Sequence, residues 1–304
     1  MIVRDRPNAL LLFFALRGSI LPRVLPSLLA CTGLAVLVTL VHGVVFEWKV
    51  TLTTVPFTLI GLALSIFLGF RNGSAYERFW EARKLWGEVV YRSRTCARQV
   101  RAYVAAPPDE IAAAIRRLVA FAHALRCQLR EVPADEATGR WLASDEAAQF
   151  RAARSGCEFL LCRSAEDLGR WHRTQGVAAP LAAAIDQSLA GLAAAQSGCE
   201  RIASTPMPFA YTLLLHRTAY VYCFLLPFGL VDLIGAVTPF VVAIVAYTFF
   251  GLDAVGDEIE DPFGEKPHHL PLEAICTTIE INVLEALGAA ELPIAPRPID
   301  GLLR

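Results

Sequence analysis

Three apolar residues, Leu62, Ile66 and Phe70, recur at i, i+4 and i+8 and so share one helix face. Gly61, Ser65 and Gly69 form an adjacent stripe of small residues. Neither stripe can make or break a bond. Small side chains let membrane helices approach closely, and rings of large apolar ones around an axis can exclude water and gate an ion path. The spacing alone admits a plainer reading as well, a helix–helix contact beside a lipid-facing surface. A second cluster, Asp257, Glu258, Glu260 and Asp261, precedes Pro262-Phe263-Gly264. A hard cation wants six to eight oxygen ligands. The residues after Gly264 are Glu265-Lys266-Pro267-His268-His269, with a lysine among them, so a solvated acidic turn is expected and calcium is not. Adjacent histidines diverge and no further ligand spacing fits, so His268 and His269 suggest no zinc centre. His216 and Arg217 interrupt an apolar run in its first third, near its cytosolic end, where pairing or snorkelling to an interface accounts for them. There is no Gly-rich phosphate loop, nucleophile elbow or triad spacing. An enzyme is not expected, and no cofactor.

The elements that hold these residues follow from composition. Of 304 residues, 55% are hydrophobic and 19% charged, and the formal net charge is −1. Soluble domains carry about 25% charged residues. A mean hydropathy of +0.46 excludes a disordered chain and an ordinary soluble enzyme. The near-zero charge argues against a nucleic-acid partner. Uncharged or nearly uncharged runs cover Leu25–Phe46, Val55–Phe70, Phe209–Val231 and Leu233–Leu252. Runs of this kind can cross about 30 Å of hydrocarbon, so four membrane helices are expected. The stretch Ala9–Leu16 is too short for a span and is followed by Arg17; it reads as an interfacial helix.

Arg4, Arg6, Arg17 and Arg23 precede the first run, and Arg71, Arg78, Arg83 and Lys84 follow the second. The two intervening links hold Lys49 as their one Lys or Arg, which places both termini and the middle of the chain in the cytoplasm. The second run continues past Phe70 in good helix formers, so one helix is expected to leave the bilayer. The middle of the chain is helical in pattern. Ile111, Ile115, Leu118, Ala122, Leu125 and Leu129 repeat after a Pro107-Pro108-Asp109 start, and Pro180 opens a helix carrying Leu181, Ile185, Leu189 and Leu192. Eight cysteines occur without any CxxC pair and read as buried thiols. The expected class is an all-α membrane protein. Residues 1–24 form a cytosolic or interfacial segment, 25–71 and 206–255 two membrane hairpins, 72–205 a cytosolic helical domain, and 256–304 a cytosolic end.

The sequence also carries a resemblance. Ile66-Phe67-Leu68-Gly69-Phe70-Arg71-Asn72, Tyr76-Glu77-Arg78 and Ala82-Arg83-Lys84-Leu85-Trp86-Gly87 are similar to the bestrophin family of ion channels, in its bacterial branch. So are Gly198-Cys199-Glu200-Arg201-Ile202, Thr205-Pro206-Met207-Pro208-Phe209-Ala210-Tyr211, Leu215-His216-Arg217-Thr218 and Glu258-Ile259-Glu260-Asp261-Pro262-Phe263-Gly264. The resemblance implies a homopentamer in the inner membrane, with subunits around one axial pore that passes small monovalent ions. Eukaryotic members pass chloride and other anions; bacterial relatives pass sodium and other small cations. It implies a pore neck at Leu62, Ile66 and Phe70, with Leu at the first position where Ile or Phe is usual. It also implies a cytosolic aperture at Leu181 and a vestigial cation clasp at Glu258 and Asp261. The rival to a channel is a membrane-anchored binding or signalling module with a helical cytosolic domain.

Overall fold

The computed structural model describes residues 1–3, 15–16, 18–41, 44–45, 48–49 and 53–303. Most of the expected interfacial helix at residues 9–16 lies outside them. In chain order the elements are α1 (Leu21–Leu40), β1 (Val44–Val45), β2 (Trp48–Lys49), α2 (Thr54–Tyr103), α3 (Pro108–Leu129), α4 (Asp135–Gly139) and α5 (Ser144–Ala152). Then follow α6 (Gly156–Thr174), α7 (Ala179–Ser204), α8 (Phe209–Ile234), a 3₁₀ turn (Gly235–Val237), α9 (Thr238–Glu260) and α10 (Leu272–Ala286). The chain divides into two compact units, one of residues 5–79 and 206–261, the other of residues 1–4, 80–205 and 262–304.

The first unit holds the apolar helices. Helix α1, the start of α2, and the stretch 209–260 are long and apolar enough to cross a membrane. That last stretch folds back on itself. His216 lies against Asp253, Tyr220 against Phe250 and Tyr222 against Phe249, so α8 and α9 run antiparallel. Gly235 makes the reversal at a φ of +53°, in the left-handed region that favours glycine, and Pro239 stands in the first turn of α9. The fourth apolar helix therefore begins at Thr238, five residues later than its hydropathy suggests. Likewise α1 ends at Leu40 rather than Phe46, and Val44 and Val45 pair antiparallel with Lys49 and Trp48. The core uses small residues, Cys31, Ala35, Ala219, Cys223 and Ala246, with Leu64, Leu68, Val242 and Phe250 filling the remaining space. Such side chains bring backbones close without a hydrophobic drive between helices. The Cys31 thiol then reaches the Cys223 carbonyl at 3.2 Å.

Helix α2 runs unbroken for 50 residues, as the helix formers after Phe70 predict. Its last turns belong to the second unit, whose centre is α3. The expected stripe Ile115, Leu118, Ala122 and Leu125 is buried, but so are Val119, Ala120, Phe121 and Ala124. This helix packs against α4, α6, α7 and α10 and is covered nearly all round, which a one-face periodicity does not anticipate. Two of its buried polar side chains find acidic partners: Arg117 bonds Glu146 and, at 2.7 Å, Asp167, while His123 Nε2 bonds Glu280 at 2.5 Å. Seven cysteines are buried, and burial pushes the Cys96 and Cys199 thiols up to about 12. Cys162 departs from the reading as a buried thiol, being exposed beside Glu158 on the outer face of α6.

Candidate pore-lining helix and its anchor

The first turns of α2 have two unlike faces. Leu64 is 2% exposed and Leu68 0%, both in the apolar core. Leu62, Ile66 and Phe70 are 60%, 48% and 65% exposed. At 100° per residue Ile66 stands about 160° from Leu64 and Leu68, on the opposite side of the helix. A row of large apolar side chains thus points away from the chain's own core at three successive turns. Phe67 is also exposed; its backbone carbonyl accepts the Tyr211 hydroxyl at 3.1 Å.

The small stripe has two uses. A Cβ at Gly61 would lie 2.7 Å from the Tyr222 hydroxyl, so glycine there lets α8 close on α2 within one chain. Gly69 meets nothing within 4 Å, and Ser65 turns its hydroxyl back to the Gly61 carbonyl at 2.8 Å. The lower part of the stripe is therefore open on the single chain.

Immediately after Phe70 the helix is pinned. Arg71 is wholly buried. Its Nη1 donates to Asp253 Oδ1 at 2.7 Å and to the Asp253 carbonyl at 3.2 Å, and its Nη2 bonds Asp257. Asp253 Oδ2 contacts His216 Nδ1 at 2.7 Å, and the Asn72 amide donates to the Leu252 carbonyl at 3.0 Å. Gly256 makes this approach possible, because a Cβ there would sit 2.5 Å from Asn72 Oδ1. One guanidinium thus ties the end of the Leu62–Phe70 stripe to α9. A buried charge is tolerable only when paired and bonded in this way. Sequence reading missed Arg71 and Asp253. The available signal was an arginine ending one uncharged run and carboxylates at 253, 257 and 260, on one helix face, ending another. The expected pairing of His216 is met, with Asp253 rather than the later acidic residues as its partner.

Those later residues do not form a solvated turn. Residues 257–260 are the last turn of α9, and arginines engage them: Arg23 reaches Asp257 at 2.8 Å and Glu258 at 3.0 Å. Glu260 Oε1 accepts the Met207 backbone N–H at 3.1 Å. Glu258 is buried and Asp261 is exposed. In the second unit, Arg130 Nε donates to the Phe263 carbonyl at 3.0 Å and Nη2 to that of Gly264 at 3.4 Å, and Glu273 pairs with the same guanidinium. Backbone oxygens of the Pro-Phe-Gly loop are thus bonded to a cation of the protein itself. Lys266 is exposed, His268 half-buried and His269 buried. Among the described residues no group of His, Cys, Asp or Glu is arranged to hold a metal ion. Leu181 is exposed in the first turn of α7, two residues after its start, and Pro180 opens that helix as expected.

The chain is thus a helical membrane protein with an exposed apolar stripe on a long helix that is pinned at the end of that stripe. The bacterial/fungal bestrophin family model matches residues 1–285, and the chain belongs to that family of ion channels. It is 43% identical over 300 residues to a voltage-dependent anion channel-forming protein of Mesorhizobium japonicum, covering 97% of this chain and 95% of the relative. It is 38% identical over 297 residues to voltage-dependent anion channel-forming protein YneE of Escherichia coli K12, covering 96% of each. A crystal structure of a bacterial bestrophin homologue from Klebsiella pneumoniae superposes with a TM-score of 0.85 at 37% identity, covering 88% of this chain and 100% of that one.

Proposed function

We propose that five copies of this chain surround one pore in the bacterial inner membrane, each crossing four times with both termini in the cytoplasm. Leu62, Ile66 and Phe70 form three stacked rings through which small monovalent ions pass, and Leu181 rings a second, cytosolic constriction. The supporting observation is the exposed Leu62–Ile66–Phe70 stripe, opposite the face that Leu64 and Leu68 bury. An uncharged neck opposes either sign of ion by excluding water. The sign of the current is set by charges outside the neck. Pure protein in a planar lipid bilayer should carry current, with a mass in mild detergent equal to five copies of a 33.2 kDa chain. A silent bilayer, or a monomer or dimer, overturns this reading. Bi-ionic reversal potentials then assign the permeant ion.

A further inference from the structure

The cytosolic turns of α2 carry a feature that conduction does not use. Arg94, Arg98 and Arg101 stand at i, i+4 and i+7, within about 60° of one another around the helix. All three are exposed, and with Ala97, Ala102, Asn282, Val283 and Ala286 they line a groove of about 450 Å³ against α10. No carboxylate lines it. Elsewhere in this unit arginines find acids: Arg92 pairs with Glu88, and Arg117 with Glu146 and Asp167. Here Arg101 bonds the Ala286 carbonyl at the end of α10, while Arg94 and Arg98 have no hydrogen-bond or ion-pair partner among the described residues. Like charges one turn apart on a helix repel. Small side chains, Ala97 and Ala102 on α2 and Ala286 on α10, leave the space between them open.

We infer that this groove is a binding site for an anion bearing two or more linked phosphate groups. The guanidinium fork matches phosphate oxygens bidentately, and two such forks one turn apart lie about 6 Å apart along the axis, close to the span between the end phosphoryl groups of a triphosphate chain. The volume lies within the usual range for a small-molecule site, about 300–1,000 Å³. The site does not rest on the channel reading, since its occupancy is measured by binding and not by current.

The test is titration calorimetry of the full-length protein with sodium tripolyphosphate, with orthophosphate as the single-phosphate control, at fixed ionic strength. Tripolyphosphate should bind at least about tenfold more tightly than orthophosphate, and R94Q/R98Q should weaken it at least about tenfold. R94K/R98K, which keeps charge and loses the fork, should fall between. Assembly mass and melting temperature of each variant confirm that the fold is intact. Repeating the titration in nanodiscs with and without a phosphoinositide separates the two sources of such phosphates: competition points to a lipid headgroup, none to a soluble anion. Absence of tripolyphosphate binding at millimolar concentration, or equal affinity in R94Q/R98Q, overturns the inference.

Discussion

The Arg71–Asp253 pair offers the most direct test of how α2, the proposed neck helix, is held. The guanidinium is 0% exposed and the carboxylate 6%, with 2.7 Å between Nη1 and Oδ1. Removing one partner from a buried ion pair costs about 3–5 kcal/mol, because the other charge is left in a low-dielectric site. Here the loss is smaller. In Asp253→Asn the guanidinium keeps Asp257 and the residue 253 carbonyl, and in Arg71→Met the Asp253 carboxylate keeps His216. About 2–3 kcal/mol is therefore expected for each single variant. The double variant Arg71→Met/Asp253→Asn removes both charges and should cost less than the sum of the singles by at least about 1 kcal/mol. Denaturation in mixed detergent micelles, followed by tryptophan fluorescence, gives all four corners of the cycle. Because Arg71 follows Phe70 directly, the single variants should also change unitary conductance. Single costs below about 1 kcal/mol, or additive ones, would refute the claim that this pair fixes α2 against α9.

Other consequences can be checked separately. Ile66→Ala and Ile66→Ser, which widen or wet the middle ring, should raise conductance or open probability, while Phe67→Ala, 100° around the helix, should change stability or assembly more than conductance. A rise that follows Phe67 instead would mean the helix is rotated from this assignment. Gly61→Ala should destabilise by about 1–2 kcal/mol through contact with the Tyr222 hydroxyl, and adding Tyr222→Phe should recover part of that in the same unfolding assay. Calcium at micromolar levels should not alter open probability in single-channel recordings, since Arg130 holds the Phe263 and Gly264 carbonyls; calcium-dependent opening lost in Asp261→Ala would contradict this. Burial raises the Glu280 pKa, but the His123 hydrogen bond and the Arg140 charge outweigh it and hold it below the ordinary carboxylate range. Its stabilisation is then complete above that range and lost as pH falls through the depressed value. Wild type should melt lower on acidification through this window, and Glu280→Gln should flatten the slope.

The parts of this molecule that the sequence made legible are those in which a single chain segment carries the whole signal. Uncharged runs mark apolar helices because each must satisfy its backbone internally and cover its length in hydrocarbon. The Leu62, Ile66 and Phe70 face needs only the helical period, and the start of α7 only Pro180. What stayed hidden depends on two segments meeting. Arg71 and Asp253 are 182 residues apart, and nothing local distinguishes a buried arginine at a helix end from one that snorkels. The acidic run at 257–260 looked solvated because its partner, Arg23, lies 234 residues earlier at its nearest contact. The same reasoning explains the burial of α3. Its apolar stripe told which face is inside, but only the packing of four other helices determines that its remaining faces are inside too. For this chain, then, periodicity identified the exposed apolar stripe that we propose lines the pore, and long-range charge pairing holds the end of that stripe against α9.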